Sequence, residues 1–301
     1  FYHFVNWRNG EREWRCELSS IDTAILICGV LTCRQHFRDR QIRQLAQEIY
    51  ERVDWAWMLN GQSLLSHGWK PETGFLKARW DTYCEHMLLY LLAIGARRHA
   101  IPAAAWEEWK RPWVEYRGFR YLSPREPIFV HQYSHAWFDF HGKRDRHADY
   151  FANSVVATQA HQAFCAGLAD RWPHFSQDVW GITASDSARG YVAWGGPPEI
   201  GELDGTLVPS AAAGSLPFLP QDCVRCLRQF RERHTAAAWT RFGLADAFNP
   251  AKGWVGPDVI GINAGISLLM AENARTGFVW NTFMENPEAR RAMKLVGFRK
   301  S

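Results

Sequence analysis

The chain has 301 residues, of which 47% are apolar and 22% charged, the profile of a packed domain and not of a disordered chain. A formal net charge of +4 is too small an excess to argue for nucleic acid or an anionic membrane as partner. No apolar run approaches the ~20 residues of a membrane helix.

The opening reads as a hairpin, with Tyr2, Phe4 and Trp7 before an Asn9-Gly10 turn and Trp14 after it. No leader precedes it, and Phe1-Tyr2-His3-Phe4 reads as the interior of a structured element, so residues upstream are expected. Ser20 to Phe37 is apolar on nearly all sides and predicts a helix buried all round. Gln41 to Trp57 is amphipathic, with Ile42, Leu45, Ile49 and Val53 on one stripe. The pattern recurs as Thr82 to Ile94, strongly apolar, then Ala103 to Tyr116, more polar. Phe129 to Phe140, Ala148 to Ala169, Ser210 to Arg231, Ile266 to Glu285 and Pro287 to Leu295 are further expected helices. Loops rich in Gly, Pro and Trp cover 60–80, 117–128, 172–209 and 243–264, and long loops in a compact domain are usually functional. Buried helices alternating with amphipathic ones predict an all-α toroid, with inner helices ringing a funnel and loops at one end building a site. A stacked solenoid is disfavoured because no fixed period is found.

Seven cysteines are scattered, and Cys223-x-x-Cys226 is the one close pair. Without a second pair or matching histidines it reads as structural thiols on one helix face. The 16 tryptophans are the compositional outlier. They suit either an aromatic core or a groove of flat faces for sugar rings.

Glu17 lies just outside a helix start, where the helix dipole favours an anion. Ser19-x-x-Asp22 and Thr82-x-x-Glu85 both match a capping box, which by itself accounts for Asp22 and Glu85. Yet Asp22 and Glu85 open the two most apolar helices, and two carboxyls across one groove are what glycosidic cleavage needs. Other candidate groove residues are His67, Trp69, Lys70 and Trp80, then His131, Gln132, His135, Trp137 and Asp139, then Trp180, Asp186 and Trp194. His131 and His135 are spaced i,i+4, but Gln132 stands where a zinc protease carries Glu, so sugar contacts are preferred to metal. No phosphate loop, dinucleotide fingerprint or nucleophile elbow is present, and no cofactor is expected.

These stretches are similar to the bacterial glucoamylase-like domain family, related to endo-β-1,2-glucanases and to the transglycosylase domain of cyclic β-1,2-glucan synthases. The resemblance rests on Glu17 to Ala24, His67 to Pro71, Tyr83 to Tyr90, His131 to Trp137, Asp178 to Asp186, Ala211 to Phe218, Asp246 to Pro250 and Glu272 to Gly277. It implies one (α/α)6 toroidal domain over 1–301 that binds an oligo- or polysaccharide and cleaves or transfers β-glucan, most directly β-1,2-glucan. Glu17 is expected as general acid, Glu85 as base or nucleophile, and Asp22 as third carboxyl. A monomer working in the periplasm or outside the cell is expected. Two departures stand out. Members carry further residues ahead of the position of Phe1, so the ring here is expected to lack its first helices. They also often carry Asp near Asn6 and at Asn263, where an amide is no base. A non-catalytic glycan-binding protein, with Trp69, Trp80, Trp180 and Trp194 as platforms, and a lyase on acidic glycans are the alternatives.

Overall fold

A computed structural model describes residues 1–301. Twelve α-helices dominate it: α1 (Ser20–His36), α2 (Arg40–Glu51), α3 (Met87–Gly95), α4 (Ala105–Glu108), α5 (Tyr133–Trp137), α6 (Tyr150–Ala166), α7 (Pro209–Ala213), α8 (Pro220–Arg233), α9 (Thr235–Ala238), α10 (Gly261–Thr276), α11 (Phe278–Phe283) and α12 (Pro287–Leu295). The strands are short. β1 (Leu18–Ser19), β2 (Gly68–Lys70) and β3 (Gly74–Phe75) form an antiparallel sheet with Leu18 opposite Trp69 and Trp69 opposite Phe75. The N-terminal segment folds back through isolated bridges, Val5 to Arg12 and Tyr2 to Leu18, and not as a regular hairpin.

The centre of the fold is α3. Its sequence MLLYLLAIG carries no charge, and all nine residues are buried. Such a helix has no solvent face and must be enclosed by others. α12 and α1 pack against it, with α5 beyond its N-terminus. At its C-terminal end Gly95 permits the closest approach, because a Cβ there would lie 2.3 Å from the Glu288 carbonyl oxygen and 3.0 Å from Ala292 Cβ. A second apolar cluster gathers Phe164, Trp180, Trp194, Phe230 and Phe248 from the later half of the chain.

Several expected elements differ. α1 is buried along one stripe (Ser20, Thr23, Ala24, Ile27, Leu31, Arg34), while Leu26 is 45% exposed, so it is not buried all round. Ser19 does cap it: its hydroxyl accepts the Asp22 N–H at 3.2 Å. The helix expected from Thr82 starts at Met87. Residues Asp81 to Tyr83 are instead extended against Lys110, with Tyr83 N–H bonded to Lys110 O at 2.7 Å. No capping box therefore forms at Glu85, and Thr82 Oγ1 bonds Asp81. Beyond α4, the segment expected as helix to Tyr116 turns into a hairpin of Trp113–Tyr116 with Phe119–Leu122, through Arg117 and Gly118 at φ 47° and 84°. Ser210 to Arg231 is two helices, broken at Pro217 and Pro220. Ile266 to Glu285 is also two, broken at Gly277, whose φ of 67° ends α10. Local apolar spacing continues across these breaks, but the prolines and the left-handed turn do not permit one helix.

Gly95→Ala forces α3 and α12 apart at backbone atoms that cannot swing away. It is expected to destabilise the protein by about 1–3 kcal/mol, read as a lower urea midpoint at unchanged slope.

Candidate active site

A cavity of ≈ 730 Å³ opens between the residues ahead of α3 and the turn ahead of α5. His67, Arg79, Trp80, Glu85, Glu126 and Phe129 line it. The volume lies in the range of small-ligand clefts.

Glu85 sits on the cavity wall two residues before α3. Its backbone is locked from across the core. Ser134 Oγ donates to Glu85 O at 2.6 Å and accepts Leu88 N–H at 3.0 Å, so one hydroxyl from α5 serves as the missing cap of α3. Burial drives the Glu85 carboxyl up, and the charges of Glu126 and Asp22 add to this. A backbone N–H and the Cys84 thiol oppose it, and the net position is about 7. Glu126 is also raised by burial and has no hydrogen-bond partner to offset it. On the same wall the His67 and Trp80 rings stack at 3.8 Å and 13°, and Trp80 Nε1 donates to Ser20 Oγ at 2.8 Å, which fixes the indole.

Glu17 is placed differently from Glu85. It does not line this cavity, and its Oε1 lies 3.0 Å from His3 Nδ1. Burial pushes its carboxyl up, but a backbone N–H, His3 and the charge of Lys70 outweigh that and hold it below its ordinary value. The resemblance implies a proton donor at Glu17, a role that a lowered carboxyl does not favour. Asp22, at the first turn of α1, takes Ser19 Oγ–H at 2.6 Å and faces His3 Nε2 at 3.5 Å.

The histidine stretch is internal. His131 Nδ1 meets Tyr83 Oη at 3.1 Å, and His135 Nε2 meets Ser154 Oγ at 3.1 Å. Burial holds both rings neutral, with pKa lowered to about 3. Gln132 spends its amide N–H groups on Ala211 O and Ser215 Oγ. Trp137, Trp180 and Trp194 are core side chains, the last two at 0% and 1% exposure, with no free face for a sugar. These six belong to packing and not to a groove wall. Asp139 is paired at the surface with Lys143 (2.7 Å) and His141 (3.0 Å), and these outweigh its burial to keep it ionised. Trp69 lies half-buried beside Trp57, next to Lys70 on β2.

Further along, Tyr133 Oη donates to Ile262 O at 3.0 Å, within the field of Glu85, Asp22, Tyr191 and Asp246. Asp246 accepts the Asp186 N–H at 2.9 Å and Asn263 Nδ2–H at 2.7 Å. Asn263 gives its other amide hydrogen to Ala184 O at 3.1 Å. A carboxyl at 263 would lie against that of Asp246 and share its proton; the amide supplies a donor instead. Asp246 and Asn263 also reach a second, mostly apolar cavity of ≈ 490 Å³ between α8 and α10. Sequence reasoning missed Glu126, Tyr133 and Tyr191 as neighbours of Glu85, and Asp246 as a candidate carboxyl acting with Glu85 on both tyrosines. The one local sign at Glu126 is its Pro-flanked turn, Pro124-Arg125-Glu126-Pro127.

Comparison with known proteins bears on this arrangement. The family model Glycoamylase, described as "Putative glucoamylase", matches residues 77–287, which include Glu85 and Glu126 but not Glu17 or Asp22. An exo β-1,2-glucooligosaccharide sophorohydrolase (non-reducing end) of Parabacteroides distasonis is 27% identical over 310 aligned positions, covering 92% of this chain. The chain spans only 43% of the length of that curated relative. An endo-β-1,2-glucanase from Chitinophaga pinensis, solved with sophorotriose and glucose, superposes with a TM-score of 0.85 at 26% identity, covering 94% of this chain and 72% of that one. A β-1,2-glucanase from Parabacteroides distasonis gives 0.87 at 25% identity, covering 97% of this chain and 46% of that one. The fold is thus the helix-rich glucoamylase-like fold of these glucanases. Since the family model takes in more than two thirds of its length, the chain belongs to the Glycoamylase family.

Proposed function

We propose that this chain is the catalytic core of a glycoside hydrolase that cleaves β-1,2-glucan, with Glu85 as its proton donor. The observation that carries this is a cavity-lining carboxyl moved to about 7, half protonated at neutral pH, beside a second cavity-lining carboxyl with no partner. Names of the relatives support the substrate: each of the three acts on, or is described by, β-1,2-linked glucose.

In this reading Glu85 gives its proton to the glycosidic oxygen as the bond to the anomeric carbon breaks. Glu126, the better ionised of the two once Glu85 holds the proton, takes a proton from the attacking water or itself attacks the anomeric carbon. The stacked His67–Trp80 pair offers a pyranose ring a flat wall, and Lys77 and Arg79 offer N–H donors to its hydroxyl oxygens. Trp69 and Lys70, on β2, and Asp186 lie outside the cavity lining. Glu17 supplies negative charge at the entrance and no proton; Asp22 biases Glu85 through its field. The helices are read as one toroidal domain of inner and outer layers in the (α/α)6 manner, working as a monomer, with α3 as an inner member because all nine of its residues are buried. One observation favours a binding-only reading: Asn263 is an amide bonded to Asp246, so no carboxyl acts from that position.

Glu85→Gln is expected to lower kcat on β-1,2-glucan about 10²–10⁴-fold with little change in KM. Glu126→Gln is expected to fall similarly, and Glu17→Gln much less. Binding of β-1,2-oligosaccharides by calorimetry with no released product from the unmodified protein would instead select the binding-only reading.

A carboxyl raised in the folded state stabilises the fold most below its unfolded pKa near 4.5 and loses that contribution as pH climbs through about 7. Glu85→Gln removes the penalty of the buried charge. The variant should therefore gain on the unmodified protein between pH 5 and 8 by about 1–3 kcal/mol, read from urea midpoints; an unchanged gap across that range would remove the raised carboxyl from the account.

A further inference from the structure

Away from the active site, a cleft of ≈ 470 Å³ lies where the end of α1, the first half of α2, the segment after α3 and the start of α12 meet. No apolar side chain lines it. Its charged lining is Arg34, Arg38, Arg40, Arg43, Arg97 and Glu288, a net of +4. That equals the formal charge of the entire chain. The remaining 30 Lys and Arg and 30 Asp and Glu balance in number. The cleft lining thus concentrates one sign of charge, whereas surfaces shaped only for solubility intersperse both signs.

The cleft has a rigid floor. Arg34 is buried and its guanidinium is fully engaged: Nη2 on Glu288 at 2.6 Å, Nε and Nη2 on Asn286, and Nη1 on Gln47. Glu288 takes Arg97 as a second partner at 3.5 Å. The walls are not engaged. The side chains of Arg38, Arg40 and Arg43 reach no acceptor within the chain, although Asp39 lies between them; its Oδ1 accepts the N–H groups of Gln41 and Ile42 as the cap of α2. Asn286 cannot cap α12 either. Its Oδ1 is taken by Arg34 and Gln35, and its Nδ2 by Leu31 O and Phe283 O. The positive end of α12 therefore opens into the same cleft through Pro287 and Glu288.

We propose that this cleft is a binding site for a small polyanion carrying two or more phosphate-type oxyanion groups. Guanidinium groups present planar forks that match such oxygens in pairs, and every cation here is arginine, none lysine. No aromatic side chain is available to stack a nucleobase, which removes nucleic acid, and no apolar wall is present for an acyl chain. The volume exceeds the need of one phosphate, and three unengaged guanidinium groups match more than one anionic group. The cleft shares no residue with the cavity at Glu85, so the proposal stands independently of the glucan reading.

The test is calorimetric titration of the full chain with pyrophosphate at fixed 150 mM ionic strength. Saturable binding at one site per chain is expected. Arg38→Ala with Arg43→Ala should weaken it at least tenfold, and the matched pair Arg228→Ala with Arg231→Ala, beside the other cavity, should leave it unchanged. All four side chains point to solvent on helices or their ends, and circular dichroism verifies that each variant folds. Absence of saturable heat, equal affinity after the Arg38/Arg43 change, or equal weakening by both pairs would overturn the proposal.

Discussion

The arrangement turns on one hydroxyl. Ser134 Oγ joins the carbonyl of Glu85 to the N–H of Leu88, across the gap between α5 and α3. α3 opens on Met87, Leu88 and Leu89, and His86 before it makes no side-chain cap, so its first turn is not capped from within, and an uncapped helix start in the core would be costly. Satisfying it from α5 fixes where the chain enters the helix. That entry point is Glu85, and its carboxyl is left between an apolar helix and the cavity. The shift of that carboxyl to about 7 follows from this position. Buried surroundings disfavour its anion, and the carboxylates of Glu126 and Asp22 disfavour it further.

Charge elsewhere is handled by the same economics of burial. His131 and His135 are deep in the core, so they stay neutral and act as hydrogen-bonding wedges. Glu17 and Asp22 are nearer the surface and both face His3, at 3.0 and 3.5 Å. Asp246 is buried but is given two donors, one from the backbone of Asp186 and one from the amide of Asn263. Burial still raises the Asp246 carboxyl above its ordinary value, whereas at Glu17 the hydrogen bonds and nearby positive charge outweigh burial and lower it. At the far end of α1, Arg34 is neutralised by Glu288, which also meets Arg97, while Arg38, Arg40 and Arg43 are left without partners.

Much of this was legible in the sequence, and the failures have physical causes. The run Met87 to Ile94 predicts a buried helix because no face of it can meet water, and the Ser19-x-x-Asp22 cap and the Pro287 start of α12 are local patterns that the structure keeps. Thr82-x-x-Glu85 has the same local pattern but is drawn into pairing with Lys110, a partner far along the chain that local spacing does not reveal. The tryptophans misled for a related reason. Trp180 and Trp194 stand beside glycines in irregular segments, which suggests a groove, yet those segments pass through the second core and bury both rings. Glu126 was invisible because its role depends on a turn folding back over Glu85, and nothing in Pro124-Arg125-Glu126-Pro127 points to that neighbour. Glu85 is legible as a candidate carboxyl, but its burial is not, and that burial is what leads the proposed function to make it the proton donor in place of the base or nucleophile expected from the resemblance.

The most direct test of the central claim, that Glu85 is a proton donor held near neutrality by burial, is the pH dependence of kcat/KM on β-1,2-glucan. A descending limb with a midpoint near pH 7 is predicted, since turnover stops as Glu85 loses its proton. A profile that stays flat through pH 9 would contradict the account, because a donor half ionised at pH 7 cannot sustain it.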